Sequence, residues 1–555
     1  MTASFKDTLA AGYKLDEPGI ILGSPLDGAT VYPDVRIQVA LSMLSRHGLI
    51  AGATGTGKTK TLQGIAGQLS LAGVPCLVAD IKGDVSGMAL PGDATNPKVQ
   101  QRIADLGLDY VPTGHPVEFL SLSGKLGSQL RASVHSFGPL LLGRVLDLND
   151  TQTSVLSLVF KYCDDNALPM LDLKDLTTTL KFLGSDEGKA VLADYGGIAP
   201  ATLGVIQRSI ITLQQQGADV FFGEPEFDVD DLLRTTSDGH GIVSVLELPD
   251  VMDKPALFST FMLWLLAQLY HALPEVGDLP KPRLCFFFDE AHLLFDGASD
   301  ALLDQIEHTV RLIRSKGVGV YFITQTPTDV PSSVLAQLGN RIQHALRVFT
   351  PEDSDNLKKT VRTFPMTEFF DTAERLVSLG IGEALVTVLA PNGVPTPLAP
   401  TRLVPPDSLM AALPPDQLQA RILSGSLYAK YDQTIDPQSA HEIITARLLS
   451  AQAAAAQAAA QAATQAAAAA QGAGTAYPPG AYRTPAGSAA QAREMEREMT
   501  RMQREAERAG REQAKREAQA AAQAHRAKLQ REREITQVGT TLLRGVLGTL
   551  FGRRR

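Results

Sequence analysis

A glycine-rich turn set between an apolar run and a helical pattern constrains this chain more than any other feature. Residues 52–59 have the sequence GATGTGKT, which matches G-x-x-x-x-G-K-[ST] at every fixed position. The run HGLIAGA leads into the turn, and the helical pattern KTKTLQGIAGQL follows it. Glycines in such a turn let backbone N–H groups converge on phosphate oxygens, and the helix directs its positive end at them. The sequence therefore predicts a strand–loop–helix unit that binds nucleotide phosphates.

Individual positions of this loop have expected roles. Lys58 is expected to reach the β- and γ-phosphates, and the Thr59 hydroxyl is expected to bind Mg²⁺. The other nucleotide contacts are expected from the loop and the first helical turn, at Gly52, Ala53, Thr54, Gly55, Thr56, Gly57 and Lys60.

Two carboxylates follow a second apolar run. Asp289 comes at the end of RLCFFFDE, where a protein with this loop places its magnesium-binding acid, and Glu290 follows it directly. An acid beside the Mg²⁺ ligand can polarise an attacking water, so the pair favours hydrolysis over transfer to a substrate hydroxyl. The alternative interpretation is a surface turn with two adjacent acids.

Asp80 and Gln325 lie at the ends of two further apolar runs, PCLVADI and GVGVYFITQ. Because the carboxyl ends of parallel strands face the ligand crevice, Asp80 is expected to orient water or the metal shell. Gln325 is expected to sense the γ-phosphate. The alternatives are a loop-capping aspartate and a turn-forming glutamine.

Three arginines are candidates to stabilise transition-state charge, in the same subunit or in a neighbouring one. Arg46 lies just ahead of the first apolar run, Arg314 lies just ahead of VYFITQ, and Arg341 lies in QLGNRIQHALR.

Apolar β-rich runs alternate with helical stretches from residue 48 to residue 405, which predicts an α/β domain with a mostly parallel sheet. Most runs, including GIVSVLEL and EALVTVLA, are continuously apolar, as strands buried on both faces are. Residues 1–47 are expected to form a lead-in, and residues 95–240 are expected to form a mainly helical insertion.

The composition changes beyond residue 405. Residues 406–450 are expected to be a helical extension, and residues 451–490, first Ala/Gln-rich and then Gly/Pro-rich, a low-complexity linker. Residues 491–555 mix Arg and Glu densely and end in GTTLLRGVLGTLFGRRR. They are expected to form a charged helix or coiled coil with an apolar terminal peptide, which is a candidate to dock on a protein or a membrane surface.

Charge and cysteine usage limit the classes of partner and compartment. The formal net charge is −9, so no uniformly basic surface indicates binding of nucleic acid. A local basic channel is nevertheless compatible with this net charge. The three cysteines are far apart in apolar contexts, which is typical of buried reduced thiols in a cytoplasmic protein. No secretory signal pattern occupies the first thirty residues.

One uncharged stretch, PALFSTFMLWLLAQLYHAL at residues 255–273, is about long enough to cross a membrane. Acidic Asp250 and Asp253 precede it and Pro255 suits the first turn of a helix, as expected for a helix of a water-soluble domain. The stretch is therefore predicted to be a buried helix packed on the sheet, and no integral membrane segment is expected.

Several blocks in order resemble the HerA-like branch of the FtsK/HerA P-loop ATPases: SRHGLIAGATGTGKTKT, VADIKGD, CFFFDEAHLLF, RSKGVGVYFITQTPTDVP and LAQLGNRIQHALR. The likeness is greatest to bacterial HerA-like proteins of the YjgR type, over about residues 15–405. It implies a RecA-like P-loop NTPase fold of the type with an additional strand and a catalytic glutamate. It also implies ATP and Mg²⁺ as cofactors, a homo-hexameric ring with ATPase sites between subunits, and translocation of DNA through a central channel.

The resemblance also transfers roles to residues at matching motif positions. These roles are phosphate binding by Lys58, Mg²⁺ binding by Thr59 and Asp289, base catalysis by Glu290, γ-phosphate sensing by Gln325, an acid after the second strand at Asp80, and inter-subunit and sensor arginines at Arg46 and Arg314. HerA itself has a β-barrel before its ATPase domain, but only about fifty residues precede the loop here. That departure puts in doubt a partner nuclease that docks on the barrel.

Two functional hypotheses follow. The first is a ring motor that translocates DNA, for which Lys82 in DIKGD is a candidate pore-loop cation. The second is an ATP-driven assembly or scaffold protein that acts on protein or membrane partners without a DNA role. The overall acidity favours the second, and the family resemblance favours the first.

Overall fold

The computed structural model of the chain describes residues 4–192, 195–295 and 300–472. Within these residues, thirteen strands form one sheet: β1 Gly19–Asp27, β2 Thr30–Val31, β3 Ile37–Ala40, β4 Gly48–Ala51, β5 Cys76–Asp80, β6 Val117–Ser121, β7 Ser128–Gln129, β8 Val243–Glu247, β9 Leu284–Phe288, β10 Val318–Thr324, β11 Asn340–His344, β12 Glu383–Thr387 and β13 Ala399–Leu403. The predicted charged helix and terminal peptide at residues 491–555, and the Gly/Pro-rich half of the predicted linker, lie outside the described residues.

The same described ranges contain seventeen α-helices. They are α1 Phe5–Gly12, α2 Lys58–Leu71, α3 Pro97–Leu106, α4 Val134–Val145, α5 Asp150–Asp165, α6 Leu173–Gly184, α7 Asp186–Leu192, α8 Pro200–Gln215, α9 Pro255–Ala272, α10 His292–Phe295, α11 Asp300–Ile313, α12 Ser332–Leu335, α13 Pro351–Val361, α14 Thr372–Ser378, α15 Pro415–Ser424, α16 Tyr428–Tyr431 and α17 Ala440–Gly472. Contacts group Met1–Ala455 into one compact unit, and a second unit begins at Ala456.

The sheet has a parallel part and an antiparallel part. Its order is β2-β1-β13-β12-β11-β4-β10-β9-β5-β8-β6-β7, and β3 pairs with β1 outside this path. The strands from β11 through β7 run parallel, whereas β12, β13, β1, β2 and β3 pair antiparallel. The predicted α/β class with a mostly parallel sheet is confirmed.

The strand β10 lies between the strand that leads into the glycine-rich loop and the strand that leads to Asp289. Its Tyr321 is in register with Gly48 of β4, and its Phe322 is in register with Phe288 of β9. This inserted strand is the additional strand of the predicted fold type.

Helices cover both faces of the parallel strands, which explains why these runs are mostly apolar and do not alternate between apolar and polar residues. Each residue of β4, β5, β8, β9 and β10 is buried. On one face α2 contributes Leu62, Ile65 and Leu69 to the core, and on the other face α9 and α11 contribute residues such as Trp264 and Val310. The carboxyl edge of the parallel strands is thereby left to carry polar side chains.

The uncharged stretch at residues 255–273 contains α9, which is mostly buried over residues 257–269, whereas His271 in its last turn is exposed. Phe261, Trp264 and Leu265 are fully enclosed, and Trp264 Nε1 donates to Ser136 Oγ at 3.0 Å. Across the part of the chain that the structure describes, no helix is long and apolar enough to cross a membrane.

The segments that flank the parallel strands also join the compact unit. Residues 1–47, expected as a lead-in, supply α1 and the strands β1 to β3. Residues 95–240, expected as a helical insertion, supply α3 to α8 and the two strands β6 and β7 at one end of the sheet. At the start of α17, the backbone N–H of Ala440 donates to the carbonyl of Pro169, so this helix begins against the insertion.

Candidate nucleotide-binding site

The glycine-rich loop connects β4 to α2 and is fastened to both neighbouring strands. The N–H of Gly52 lies 3.2 Å from the carbonyl of Thr324 and 3.1 Å from that of Gln325, and the N–H of Ala53 donates to Ala345 at 2.9 Å. Gly52, Gly55 and Gly57 have φ values of +151°, +78° and +111°. These left-handed conformations require glycine. They shape the loop in front of the α2 N-terminus, where a phosphate is stabilised by backbone N–H groups.

Lys58 begins α2 and folds back over this loop. Its side chain is buried, and Nζ donates to the carbonyls of Gly52 at 2.7 Å and Ala53 at 3.3 Å. Burial lowers the pKa of Lys58, and the nearby charge of Glu290 opposes that shift. The ammonium therefore lies in the concavity of the loop.

The remaining loop positions differ in exposure. Thr54 and Gly55 are exposed, and Thr59 is half-buried in the first turn of α2. Thr56 is buried, and its Oγ1 donates to the Ala53 carbonyl at 2.7 Å. Lys60, expected among the nucleotide contacts, donates from Nζ to the carbonyl of Met410.

His344 supports the loop from the end of β11, and sequence analysis did not identify it. Its Nε2 lies 3.0 Å from Thr61 Oγ1 on α2, and its ring is fully buried behind Gly52. Burial lowers the pKa of His344 to about 3, so the ring is neutral near pH 7. The only signal in the sequence was a polar residue at the end of a strand.

Asp289 and Glu290 follow β9 at the same edge of the sheet. Asp289 Oδ1 accepts the N–H of Glu290 at 3.0 Å, and no residue in the described ranges hydrogen-bonds Oδ2. Burial raises the pKa of Asp289 to about 7, with a further contribution from the charge of Glu290. A buried carboxylate oxygen without a partner is costly unless a cation or proton satisfies it.

Asp80 holds the turn after β5. Its Oδ1 accepts the N–H groups of Lys82, Gly83 and Asp84 at 3.2, 2.8 and 3.3 Å, and its Oδ2 accepts the N–H of Val85 at 2.7 Å. Burial raises the pKa of Asp80 to about 6, although these hydrogen bonds counteract part of the effect. Asp80 therefore caps the turn at residues 82–85, and this turn lies beside the glycine-rich loop.

Asp84 joins this group and was missed by sequence analysis, although it ends the DIKGD block. Oxygen atoms of Asp80, Asp84 and Asp289 lie within 4.8 Å of one another. Oδ1 of Asp84 has no hydrogen-bond partner in the described ranges. Carboxylate oxygens are the ligands that Mg²⁺ prefers, so the residues present fit this ion.

The Glu290 carboxylate has two cationic or polar neighbours. Its Oε1 pairs with Lys82 Nζ, and its Oε2 lies 3.4 Å from His292 Nδ1 without hydrogen-bond geometry. Burial acts to lower the pKa of Lys82, but the hydrogen bond and charge of Glu290 outweigh it and raise that pKa. Glu290 itself has φ of +46°, an uncommon conformation for a residue with a side chain.

Gln325 directly follows β10, and its side chain is exposed at the loop edge. Its carbonyl accepts the N–H of Gly52, so the residue lies against the loop. Its placement is compatible with contact to a bound phosphate.

The candidate arginines lie away from this edge. Arg46 precedes β4 at the amino edge of the sheet, and its Nη2 pairs with Asp278 Oδ1 at 3.1 Å. Arg314 precedes β10, and its Nη2 lies 3.7 Å from the same oxygen. Arg341 donates to the carbonyls of Leu338 and Thr363, so it fixes the backbone around β11. The structure thus gathers Lys58, Asp80, Asp289 and Glu290, and separates all three arginines from them.

A family model described as "Helicase HerA-like C-terminal" matches residues 29–555. The chain belongs to this HerA-like family. The predicted resemblance to HerA-like proteins is thereby confirmed, and the glycine-rich loop at residues 52–59 carries the sequence motif of a P-loop. One curated relative, the DNA double-strand break repair helicase HerA of Sulfolobus acidocaldarius, is 23% identical over 372 residues. The alignment covers 65% of this chain and 66% of that relative, just under two thirds of its length.

Solved structures also resemble this HerA-like chain. VirB4 of Thermoanaerobacter pseudethanolicus is 16% identical, with a TM-score of 0.42 over 70% of this chain and 97% of that one. The unbound bacterial conjugative coupling protein TrwBdeltaN70 is 14% identical, with a TM-score of 0.47 over 73% and 92%. The plasmid coupling protein TrwB in complex with ADP and Mg²⁺ is 15% identical, with a TM-score of 0.46 over 72% and 97%.

Proposed function

We propose that this chain is an ATP-hydrolysing ring motor of the HerA/FtsK type that translocates or remodels duplex DNA. The observation that carries the proposal is the meeting of Lys58, Asp289 and Glu290 at one edge of the sheet, with β10 between the strands that deliver them. A buried cation on a phosphate-binding loop and a buried carboxylate with a free oxygen suit Mg²⁺–ATP. The acid beside them suits activation of water.

Each residue then has a stated task. The P-loop amides and Lys58 would hold the phosphates, and Thr59 and Asp289, with Asp84 nearby, would hold Mg²⁺, which when bound would neutralise charge on the phosphate oxygens. Glu290 accepts a proton from the attacking water on a carboxylate oxygen. Gln325 lies at the P-loop edge, where its amide can orient that water or the γ-phosphate.

The arginines support a site shared between subunits. Arg46 and Arg314 both meet Asp278 at the amino edge of the sheet, whereas the P-loop lies at the carboxyl edge. They are therefore poorly placed to reach their own subunit's phosphates. In a closed homo-hexamer, a head-to-tail interface would bring this arginine pair to the neighbouring site, where such an arginine increases turnover by about 10³- to 10⁵-fold.

The substrate class follows from the family relationship. The curated HerA relative is described as a DNA double-strand break repair helicase. The net charge of −9 means that DNA contact would depend on local cations at the channel, not on the whole surface.

The buried free thiols Cys76, Cys163 and Cys285 suit the reducing cytoplasm.

The test is the steady-state rate of ATP hydrolysis with and without linear duplex DNA. We expect Mg²⁺-dependent hydrolysis that rises with DNA and with protein concentration as rings form. Glu290→Gln should still bind ATP but lose about 10²- to 10⁴-fold in turnover, the usual contribution of a general base. Hydrolysis at the wild-type rate by Glu290→Gln would remove the basis of the proposal.

A mixing experiment tests the shared site. Arg46→Ala and Glu290→Gln are each expected to be inactive alone, and their mixture should regain activity because some interfaces pair an intact base with an intact arginine. A mixture that co-assembles and stays inactive excludes Arg46 as the donated arginine. Co-sedimentation with DNA or with liposomes separates the motor from an assembly protein that engages membranes.

A further inference from the structure

The carboxylate of Glu290 is held by a lysine in the turn that follows a different strand. Lys82 lies in the turn after β5, and its Nζ donates to Glu290 Oε1. The Glu290 side chain is 8% exposed, whereas the Lys82 side chain is 45% exposed. A buried anion is therefore paired with a cation that solvent, or a large ligand, can reach.

The turn that carries Lys82 is itself firmly fixed. Both oxygens of the Asp80 carboxylate accept backbone N–H groups from residues 82–85. Gly83, with φ of +73°, allows the chain to make the bend. Because the backbone is anchored, the freedom of Lys82 is confined to its long side chain, and the ammonium can leave Glu290 without movement of the sheet.

The pair has a direct consequence for base catalysis. In this arrangement an incoming proton competes with the ammonium of Lys82 for Oε1, because protonation of that oxygen gives up the charge-assisted pair. The other oxygen, Oε2, faces His292 Nδ1 at 3.4 Å. Release of Glu290 by Lys82 would therefore favour proton transfer from water to the carboxylate.

We propose that Lys82 is a positioning residue that holds Glu290 idle until the phosphate backbone of duplex DNA draws its ammonium away. The proposal deepens the proposed function and rests on it for the identity of the polyanion. Lysine contacts to DNA phosphates are sequence-independent and carry much of DNA affinity. A DNA phosphate and Glu290 would then compete for one cation, which couples DNA contact to ATP hydrolysis.

The experiment compares ATP turnover and KM of the full chain with and without linear duplex DNA. The variants are Lys82→Met, which keeps the length of the side chain without its charge, and Lys82→Arg, which keeps the charge. Lys125→Met is the matched control because Lys125 is exposed on the turn after β6 at the same edge of the sheet. Glu290→Gln gives the background rate.

Lys82→Met is expected to raise kcat without DNA, to leave KM for ATP unchanged and to lose most of the DNA stimulation. If Glu290 is free of Lys82 in about one molecule in ten, the protein hydrolyses ATP at about one tenth of its full rate. Removal of the lysine charge should therefore raise the basal rate by about tenfold. Lys82→Arg should stay close to the wild type, and Lys125→Met should match it. A lysine that only supports the local fold would instead lower turnover or raise KM.

Two results would overturn the proposal: a basal rate in Lys82→Met equal to or below the wild-type rate, or DNA stimulation of undiminished size in that variant. If Lys82→Met does not fold, as judged by binding of a non-hydrolysable ATP analogue, Lys82→Gln provides the same comparison. If DNA does not stimulate ATP turnover of the wild type or of any variant, the proposal of a DNA motor fails. In that case the basal rate of Lys82→Met still decides whether the lysine restrains Glu290.

Discussion

The replacement Gly52→Ala is expected to destabilise the protein and its phosphate site together. Gly52 has φ of +151°, a conformation that residues with a side chain rarely adopt. A Cβ atom here would lie 2.5 Å from the Cβ of His344 and 3.1 Å from Thr56 Oγ1. His344 has little room to move, because its ring is fully buried and hydrogen-bonded to Thr61 at 3.0 Å.

The size of the effect follows from two separate costs. Backbone strain of this kind costs about 1–3 kcal/mol, and forcing an additional methyl group into a packed interior costs about 1–3 kcal/mol. The loss in free energy of unfolding should therefore be about 2–6 kcal/mol, a large fraction of the usual total of about 5–15 kcal/mol. Gly55→Ala is the matched control: Gly55 has φ of +78°, but no atom lies within 4 Å of its Cβ position. That variant should show the strain cost alone.

Urea unfolding of the nucleotide-free protein measures the difference, and fluorescence of Trp264, the single tryptophan and fully buried, reports it. Affinity for a non-hydrolysable ATP analogue, measured by calorimetry, should fall further in Gly52→Ala than in Gly55→Ala. Equal unfolding midpoints for Gly52→Ala and the wild type would refute the steric argument. An equal loss in free energy of unfolding in Gly52→Ala and Gly55→Ala would also refute it, because the contact with His344 would then contribute nothing.

Three further changes test other parts of the site and of the fold. Asp84→Asn should raise the Mg²⁺ concentration needed for half-maximal hydrolysis by about tenfold or more, as loss of an outer ligand partner does; an unchanged requirement would exclude Asp84 from the metal site. Because the pKa of Asp289 is raised to about 7 in the folded, metal-free protein, the stability it contributes is present below pH 4 and is lost as the pH rises to 7. As the pH rises from 4 to 7, Asp289→Asn should therefore become more stable relative to the wild type, by up to about 1.4 kcal/mol per pH unit. Urea unfolding in EDTA measures this difference. If the midpoints of the variant and the wild type differ by the same amount at pH 4 and at pH 8, the reasoning is contradicted. Truncation after Ala455 should leave a cooperatively unfolding protein that binds nucleotide, whereas truncation after Ser439 removes the buried Ile444 and should lower the unfolding midpoint; equal midpoints would show that the start of α17 is dispensable.

The central strands of the parallel sheet, β4, β5, β8, β9 and β10, were predictable because their neighbours on both faces are apolar. A strand such as β9, Leu284–Phe288, is buried at each residue, and the same requirement on every side chain appears in the sequence as an uninterrupted apolar run. The P-loop was predictable for a related reason, since its backbone conformations admit only glycine at fixed spacings. Local constraints of this kind are visible in a short stretch of sequence.

The strands β1 and β11 were not predictable in this way, although the antiparallel strand β12 appeared in the sequence as the apolar run EALVTVLA. The strand β1 contains Gly23 and Pro25, and besides the nearby β2 and β3 it pairs with residues 401–403, almost the whole domain away in sequence. The strand β11 is largely polar, and Asn340 donates from its side chain to the carbonyls of Met43 and His47. These strands are stable because of pairing partners that no local pattern reveals.

The same distinction separates the site residues that sequence analysis found from those that it missed. Lys58, Asp289 and Glu290 follow motifs whose spacing is local, whereas His344 matters only because β11 pairs beside β4 and brings its ring behind Gly52. Asp84 matters only because Asp80 bends the turn after β5 until its carboxylate approaches Asp289. Lys82 was named from the sequence as a pore-loop candidate, but its contact with Glu290 was not foreseen, since it joins residues that are 208 positions apart. The residues that carry the chemistry of the P-loop are thus recognisable from short stretches of sequence. The residues that restrain it, such as Lys82, come into contact with it only in the folded sheet. Variants of those restraining residues therefore distinguish this chain's own mechanism from that of P-loop ATPases in general.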